Sequence, residues 1–354
     1  MNKMHYDEQM SKVPMKRVAV EKAVGMVLCH DITRIVPGEF KGRAFRKGQR
    51  VQAEDIPLLK DLGKEHLYIL ELKEGWVHED EAAQRIAQAA AGPGITLTEP
   101  AEGRVNLVAA EPGLLKVEVE ALSRINTVEE VVFSTLHTNQ PVSAGRPVAG
   151  TRIIPLATRE ANIISVEKIC RKARPVISVR PFRPLSAGIV TTGSEVFSGR
   201  IEDRFGPVLK SKFAELGSYV IGQVLVSDDI EQTVTAIHGF LKQGAGLVAV
   251  TGGMSVDPDD QTPAAIRAAG GKVVTYGAPT FPGAMFMLAY IDGVPILGLP
   301  GCVMYYRASI FDLVVPRILA GDTITRADIV AMGHGGFCAG CPDCRYPICA
   351  FGKG

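Results

Sequence analysis

The chain has 354 residues, which is too long for one ordinary hydrophobic core and predicts two or three domains of about 150 residues each. Hydrophobic residues make up 46% and charged residues 22% of the composition, and these values exclude a wholly disordered chain. The formal net charge of +1 argues against a nucleic-acid-binding protein that relies on bulk positive charge.

The hydropathy pattern indicates neither secretion nor membrane insertion. Charged residues interrupt residues 1–22, so they contain no apolar secretory segment. The most apolar stretch, residues 281–301, contains Asp292 and several prolines and glycines, which do not suit a membrane span of about 20 apolar residues. Its Asp292-Gly293 dipeptide predicts a hairpin between two short strands. We therefore expect a cytoplasmic protein whose partners include neither a membrane nor nucleic acid.

The N-terminal half predicts a mixed α+β region followed by a β-rich region with tight turns. The predicted elements are strands at 27–35 and 66–70 around a helix at 55–62, a helix at 79–91, a strand at 116–122, turn-rich β-structure at 142–156 and a proline-rich linker at 175–184. Composition and pattern divide the whole chain into residues 1–92, 93–184, 185–330 and 331–354.

The third of these regions alternates strand and helix patterns. Short apolar runs at 187–190 and 247–250 end in Thr-Gly, which is typical of buried parallel strands that meet a ligand loop. The other predicted elements are helices at 205–216, 230–241, 262–271 and 305–319 and strands at 219–226 and 273–276. This order predicts a doubly wound, mostly parallel α/β domain whose site lies outside the carboxyl ends of the strands.

Three loop motifs follow strands of this domain, at residues 191–195, 251–263 and 299–301. Small residues let the backbone approach a ligand closely, and its N–H groups can then bind phosphate oxygens. Carboxylates such as Glu195 and Asp260 suit a hard cation such as Mg²⁺ that bridges to the same phosphates. The motifs indicate an enzyme that acts on a phosphorylated or nucleotide-like small molecule.

The second motif is the most specific of the three. Asp257, Asp259 and Asp260 crowd together before a helix start, where their repulsion favours a bound cation or compensation by the helix dipole. Asp228 follows the neighbouring strand and is a candidate second carboxylate for the same ion. Simpler interpretations remain open: an ordinary turn for the first motif, a solvated acidic turn for the second and an N-cap at Asp228.

In this order and on these elements, residues 188–320 resemble the molybdopterin-binding domain shared by the MogA and MoeA/gephyrin proteins of molybdenum cofactor biosynthesis. The matching pieces are residues 198–207, Thr251-Gly252-Gly253 with Asp260-Gln261-Thr262-Pro263, and Leu299-Pro300-Gly301. Residues 17–72 also look like the N-terminal region of MoeA. There the matching pieces are residues 20–25, Lys47-Gly48, 56–59 and Leu62-Gly63.

The resemblance implies an activity in which molybdate displaces AMP from adenylated molybdopterin, with help from Mg²⁺. It implies catalytic roles for Glu195, Asp228 and Asp260, with Glu195 and Asp260 binding the cation or the molybdate. The residues that it assigns to molybdopterin or to the adenylate are Thr192, Gly193, Ser194, Gly199, Asp203, Thr251, Gly252, Gly253, Ser255, Pro300 and Gly301. Related proteins form dimers or trimers, so it also implies a homo-oligomer and a molybdoenzyme client.

Several features depart from that family. Cys302 follows the Leu-Pro-Gly turn, where the family usually has asparagine, and residues 278–283 replace a lysine-bearing segment. After about Leu319 a cysteine-rich tail stands in place of the small C-terminal β-domain of MoeA. Two other functions stay open. One is a non-catalytic carrier or sensor of molybdopterin, and the other is a CinA-like nucleotide hydrolase, because residues 258–262 are similar to a CinA loop.

The tail contains four of the seven cysteines of the chain, in a C-x₂-C-x₂-C-x₄-C pattern. These residues are Cys338, Cys341, Cys344 and Cys349. Without a secretory context such a group predicts metal binding, either Zn²⁺ held by four thiolates or an iron–sulfur cluster. The alternative is a flexible, reduced tail. We interpret His334 as a loop residue, because the four cysteines already complete a site.

Overall fold

The computed structural model describes residues 15–36, 40–70, 72, 74–173, 175–255 and 260–353. Within these ranges, none of the helices combines the length and the apolar character that a membrane crossing requires. The chain divides into two units. The first comprises residues 1–111, 115–138 and 143–179, and the second comprises residues 112–114, 139–142 and 180–354.

The N-terminal part of the chain is a succession of short strands interspersed with helices. The strands are β1 (Met15–Ala19), β2 (Val27–Leu28), β3 (Ile32–Val36), β4 (Phe40–Phe45), β5 (His66–Leu70), β6 (Trp76–His78), β7 (Ile95–Leu97), β8 (Arg104–Ala109), β9 (Gly113–Val117), β10 (Val131–Thr135), β11 (Gln140–Val142), β12 (Pro147–Ile153), β13 (Ala157–Arg159) and β14 (Ile177–Pro181). The helices are α1 (Asp55–Asp61), α2 (Glu79–Ala90), α3 (Val119–Ile125) and α4 (Glu160–Lys172).

The largest sheet that lies wholly in the first unit has the strand order β10-β12-β8-β7, and all its pairs are antiparallel. Its strands alternate buried and accessible residues, as β8 does with Val105 and Leu107 buried between more accessible neighbours. Helix α2 covers the buried face, because Ala82, Ile86 and Ala90 recur at helical spacing and are fully buried. The opposite face of this sheet carries polar side chains such as those of residues 104 and 134.

The second unit is built around a six-stranded sheet with helices on both sides. Its strands are β15 (Ser186–Thr192), β16 (Tyr219–Val226), β17 (Leu247–Thr251), β18 (Lys272–Tyr276), β19 (Met287–Ile291) and β20 (Val294–Leu299). Its helices are α5 (Ser194–Phe197), α6 (Phe205–Glu215), α7 (Ile230–Lys242), α8 (Thr262–Ala268), α9 (Cys302–Tyr305), α10 (Ile310–Leu319) and α11 (Arg326–Ala331). The strand order is β16-β15-β17-β20-β19-β18, and the first four strands are parallel.

Alternating residues of the central strands feed two separate hydrophobic clusters, one on each face of the sheet. On one face Ile189 of β15 packs with Phe213 of α6 and Phe311 of α10. On the other face Val190 packs with residues of α7 and α8, including Phe240. Helices therefore cover both faces, and the predicted doubly wound α/β arrangement is confirmed for this unit, with β19 as an antiparallel strand between β18 and β20.

Some predicted elements differ from the structure. The helix predicted at 305–319 was predicted too long, because Ser309 and Asp312 form a capping box that starts α10 at Ile310. The strand predicted at 116–122 is the end of β9 followed by α3, and the linker predicted at 175–184 contains β14. The sequence reasoning missed the amphipathic helix α4, although its buried residues recur at helical spacing.

Lys212 ties α6 to α10 from a position where it is only 5% exposed. Its ammonium donates to both carboxylate oxygens of Asp312, at 2.8 and 2.9 Å, and to the carbonyl of Arg307 at 2.8 Å. Burial raises the pKa of the Asp312 carboxyl, so this group depends on the neighbouring ammonium to stay charged. The two helices are therefore joined by a buried ion pair in which each charge would lack a counter-ion without the other.

We expect Lys212→Met to lower the free energy of unfolding by about 3 kcal/mol, because the substitution leaves the Asp312 carboxylate buried without its counter-ion. Urea unfolding followed by circular dichroism measures the change. Lys210→Met is the matched control, since Lys210 is exposed on the same helix, and it should change the value by less than about 0.5 kcal/mol. Equal effects of the two substitutions would show that the ion pair contributes nothing.

Candidate functional site

The strand register brings three of the predicted loop motifs to one edge of the six-stranded sheet. Thr191 of β15 pairs with Thr251 of β17, and Thr251 pairs with Leu299 of β20. Thr192 pairs with Val226, the last residue of β16. Four parallel strands therefore end side by side, and the loops that leave them start at the same edge, where open α/β sheets bind their ligands.

The first loop turns at Gly193, whose φ of +143° strongly favours glycine, and enters the short helix α5. The Ser194 backbone N–H and hydroxyl both donate to Oδ2 of Asp228, at 2.8 and 2.9 Å. Ser194 and Asp228, which were predicted separately as a ligand-binding residue and an ion-binding carboxylate, therefore contact each other, and Asp228 fixes the loop after β15. Glu195 and Gly199 are exposed.

Asp203, which the resemblance assigned to the ligand, is hydrogen-bonded to groups of the protein itself. Its two carboxylate oxygens accept the backbone N–H groups of Phe205 and Gly206 at the start of α6, at 2.9 and 3.0 Å. Gln223 donates to Asp203 at 2.6 Å and to the hydroxyl of Thr191 at 3.0 Å. Asp203 therefore caps a helix and anchors it to the sheet.

The second loop folds tightly against the first. A Cβ on Gly252 would overlap the carbonyl oxygen of Thr192 and lie 2.7 Å from its hydroxyl, and Gly252 has a φ of +82°. The hydroxyl of Thr262 donates to the Gly252 carbonyl at 2.8 Å and lies 3.4 Å from the hydroxyl of Thr192. Gly253 also has a positive φ, and a Cβ there would lie 3.0 Å from the Thr262 hydroxyl. The two glycines allow this contact between the loops, and their predicted contact with a ligand stays a prediction.

Asp260 closes the second loop by accepting the backbone N–H of Ser255 at 2.5 Å. Asp257 and Asp259, the other two predicted carboxylates, lie outside the described residues. Thr262 is the first residue of α8, and Gln261 occupies the cap position. The reason is that the Thr262 hydroxyl binds the Gly252 carbonyl and does not cap its own helix.

The third loop continues directly from β20. Pro300 is buried and Gly301 is exposed before the short helix α9. Cys302 is half-buried, and its burial raises the pKa of the thiol, so this group stays protonated near neutral pH. A neutral thiol therefore occupies the position at which the family that this domain resembles usually has an asparagine.

The described residues do not support the predicted Mg²⁺ site. Among them, no group of three or more His, Cys, Asp or Glu side chains is arranged to hold a metal ion. The physical reason is that Asp228 and Asp260 bind loop N–H groups, while Glu195 lies at an exposed helix start. The residues as placed do not fit a resident cation.

The four tail cysteines are likewise not grouped as metal ligands in the described part of the chain. Cys338 and Cys349 pack against an apolar cluster that contains Phe351, whereas Cys341 and Cys344 are exposed. The thiols behave here as small apolar side chains and as surface groups. The predicted Zn²⁺ or iron–sulfur site therefore has no support in the structure.

Two sets of contacts at this edge were not predicted from the sequence. Gln223 connects Asp203 to Thr191, and Thr262 connects the second loop to Thr192. A signal existed for Gln223, because it is a lone amide in the apolar strand β16. A polar residue on a half-buried strand needs a partner, which would have directed attention to Asp203.

Comparison with known proteins identifies the domain that carries these loops. Residues 188–320 match the family model of a probable molybdopterin binding domain, so the chain contains a domain of that family. Residues 17–71 match a domain of unknown function (DUF8806), so the predicted likeness of this region to MoeA stays a prediction.

Several curated proteins are similar to parts of the chain. A CinA-like protein of Mycolicibacterium vanbaalenii is 34% identical over 112 residues, and the match covers 27% of this chain and 26% of that protein. A CinA-like protein of Mycobacterium tuberculosis H37Rv is 34% identical over 76 residues, and the match covers 22% of this chain and 18% of that protein. The chain thus spans about a quarter or less of the length of these curated relatives.

Among solved structures, the molybdopterin biosynthesis enzyme MoaB of Thermus thermophilus is 19% identical, with a TM-score of 0.32, and the match covers 39% of this chain and 98% of that chain. The tungsten cofactor synthesizing protein MoaB of Pyrococcus furiosus is 22% identical, with a TM-score of 0.33, and the match covers 38% of this chain and 92% of that chain.

We expect Gly252→Ala to destabilise the second unit by about 2 kcal/mol more than Gly217→Ala does, because only the first substitution adds overpacking to backbone strain. Both glycines have positive φ, and a Cβ on Gly217 would meet no atom within 4 Å. Chemical denaturation measures both values. Equal losses would mean that the second loop can move away from Thr192 without cost.

Proposed function

We propose that the second unit binds molybdopterin in its adenylated form and inserts molybdenum into it, with molybdate displacing AMP. The single observation that supports this function best is the edge at which Thr192, Gly252 and Gly253 bring two backbone loops into contact. The family match of residues 188–320 supports molybdopterin as the ligand. The match concerns the ligand only, and the insertion of molybdenum is tested below by AMP release.

The ligand is held, in this proposal, chiefly by backbone and hydroxyl groups. Gly193, Gly252 and Gly253 carry no side chain that would keep a phosphate away from the loop backbone. Ser255 is exposed at the same edge, so its hydroxyl is available to phosphate or pterin oxygens, whereas the Ser194 hydroxyl already donates to Asp228. Gly301, which is exposed after β20, extends the backbone edge on the other side.

Asp228 and Asp260 act in this proposal as positioning residues. Each accepts a serine N–H of a different loop, Ser194 in one case and Ser255 in the other. Holding both loops in one arrangement before the ligand arrives reduces the ordering that binding requires. Among the described residues no group of carboxylates is arranged to hold Mg²⁺, so the proposed role of Asp228 and Asp260 is to order the loops.

A CinA-like nucleotide hydrolase is the second candidate function, and the 34% identity to CinA-like proteins favours it. A phosphate-binding edge of this kind suits a nucleotide as well as a pterin phosphate. The third candidate is a carrier or sensor that binds molybdopterin without turnover. All three candidates use the same loops, so only the products of the reaction distinguish them.

A homo-oligomer and a molybdoenzyme client also remain proposals. Strand β16 lies at the edge of the six-stranded sheet and exposes Tyr219, Val224 and Leu225. An apolar edge strand of eight residues is a surface that proteins usually cover, which supports self-association at this edge.

We expect Asp260→Asn to abolish AMP release from adenylated molybdopterin in the presence of molybdate, with the fold intact. A neutral amide accepts the Ser255 N–H more weakly than the carboxylate does, so the second loop loses the arrangement in which it meets the ligand. Single-turnover AMP release, measured with and without added Mg²⁺, gives the rate. The same change at Asp229 is the matched control, because Asp229 caps α7 through the Gln232 N–H and asparagine caps a helix equally well.

An unchanged rate in Asp260→Asn would remove this residue from the reaction. Tight binding of the adenylated ligand without AMP release would favour the carrier. Release of a hydrolysis product from ADP-ribose, with no binding of molybdopterin, would favour the CinA-like activity and contradict the proposed insertion.

A further inference from the structure

The first unit contains a small cavity that the proposed function does not use. Its volume is about 150 Å³, and every side chain that defines it is charged. Its rim residues are Asp31, Arg43, Arg46, Lys47, Glu102 and Arg152, and Glu79 forms its buried wall. Such a concentration of charge around a small space is typical of a polar ligand site and unlike an apolar packing defect.

Glu79 is buried by two tight turns from distant parts of the sequence. It begins helix α2 and is only 3% exposed. Gly48 and Gly103 both have positive φ, and a Cβ on Gly48 would lie 3.1 Å from the Glu79 carboxyl, while one on Gly103 would overlap it. Two glycines thus allow the backbone to close over one carboxyl group.

One oxygen of this carboxyl is unpartnered. Oε2 of Glu79 is buried and has no hydrogen-bond partner among the described residues. Arg152 places its Nη2 at 3.8 Å from this oxygen, which is beyond hydrogen-bond distance. A buried carboxylate oxygen left without a donor is costly, so this position favours a ligand that brings a donor.

The cations around Glu79 are only partly neutralised. Arg43 pairs with Asp31 at 3.3 Å, and Arg46 pairs with Glu102 at 3.1 Å. Lys47 makes no ion pair with any described carboxylate, and Arg152 is paired only loosely, with Glu79 itself. The cavity therefore offers two cations for an anion and one carboxyl that needs a proton donor.

We propose that this cavity binds inorganic phosphate that carries one proton, with Lys47 and Arg152 holding its anionic oxygens and Glu79 accepting its O–H. Above neutral pH this ion has both the charge and the hydroxyl that the arrangement requires. Sulfate and molybdate have the same tetrahedral shape and charge but no proton. They bind only when Glu79 takes up a proton from the solvent, so this carboxyl discriminates between the two kinds of oxyanion.

The proton balance makes the selectivity dependent on pH. Burial raises the pKa of Glu79, while Lys47 and Arg152 oppose the rise and Asp80 and Glu102 add to it. Sulfate affinity should fall by up to about tenfold per pH unit above the pKa of Glu79, since one proton is taken up. Phosphate affinity should stay nearly constant, because the proton arrives with the ligand.

His78 precedes Glu79 directly, but its charge does not change in this pH range. Burial lowers the pKa of its imidazole, so the ring stays neutral above neutral pH. Asp31, Arg43, Arg46 and Glu102 are engaged in the ion pairs at the rim. Glu79 is therefore the carboxyl whose proton the oxyanion must supply or replace.

The need for an O–H that donates to Glu79 also distinguishes free phosphate from a phosphate ester. Space alone does not exclude an ester, because Arg152 also lines a larger cavity of about 420 Å³ on the polar face of the β10-β12-β8 sheet. A phosphomonoester, however, has a second pKa of about 6 and carries no proton at pH 8. Methyl phosphate should therefore behave like sulfate, whereas inorganic phosphate keeps the O–H that Glu79 accepts.

The test is isothermal titration calorimetry of the full chain with inorganic phosphate, methyl phosphate, sulfate and molybdate, at about pH 7.5 and about pH 8.5. We expect the unsubstituted protein to prefer inorganic phosphate over the other three anions by at least about tenfold, the value of one hydrogen bond to a buried charged group. Glu79→Gln should lose this preference and its pH dependence, because the amide donates to any oxyanion.

Two further variants keep the result interpretable. Glu81→Gln makes the same chemical change two residues along α2, at a carboxyl outside the cavity, and should bind like the unsubstituted protein. Lys47→Met should weaken every oxyanion by several-fold without changing the preference, even where Glu79→Gln fails to fold. Equal affinity of the unsubstituted protein for phosphate and for sulfate or methyl phosphate would overturn the proposal, and so would unchanged phosphate binding in Lys47→Met.

Discussion

The carbonyl oxygen of Thr192 lies so close to the backbone of residue 252 that no side chain fits between them. This contact joins the loop after β15 to the loop after β17 at the edge of the sheet. The hydroxyl of Thr262 then fixes the Gly252 carbonyl, which sets where α8 begins. The arrangement of the candidate site thus follows from one close backbone approach, and the strand register of Thr191 and Thr251 makes that approach possible.

The same edge shows how a polar site is kept in order by its own hydrogen bonds. Asp203, Gln223 and Thr191 form a continuous hydrogen-bonded chain from the start of α6 into the sheet. Asp228 and Asp260 each hold one loop N–H. Because buried polar groups are costly when unpaired, a network in which each member has a partner gives the loops one stable conformation. The ligand then meets a backbone that needs little rearrangement.

The strands of the second unit and its helices α6, α7 and α8 could be predicted, because local features mark them, whereas α5, α9 and α11 were not predicted. Apolar runs that end in Thr-Gly, the Asp292-Gly293 turn and the glycines after α6 and α7 act within a few residues of the element that they delimit. The helix at 305–319 was predicted too long, since the Ser309 capping box lies inside a stretch that has suitable helical periodicity. The candidate site was harder to predict, because its carboxylates depend on distant partners. Residue type alone suggests metal binding for Asp228 and Asp260, whereas each in fact lies beside a serine N–H that no spacing rule encodes.

Glu79 also depends on distant partners, but here residue type alone suggests no site at all. In the sequence it is an acidic residue in the first turn of a helix, where the helix dipole already accounts for it. Its burial comes from Gly48 and Gly103, which lie far from it in the sequence and whose two turns pack against its carboxyl group. An ordinary turn accounts for a glycine at each of these positions, so neither glycine indicates a shared contact. The two proposed sites therefore recognise phosphate differently. At Gly252 the backbone carries no side chain, whereas at Glu79 a buried carboxyl oxygen has no hydrogen-bond donor. Only the first arrangement leaves a recognisable motif in the sequence.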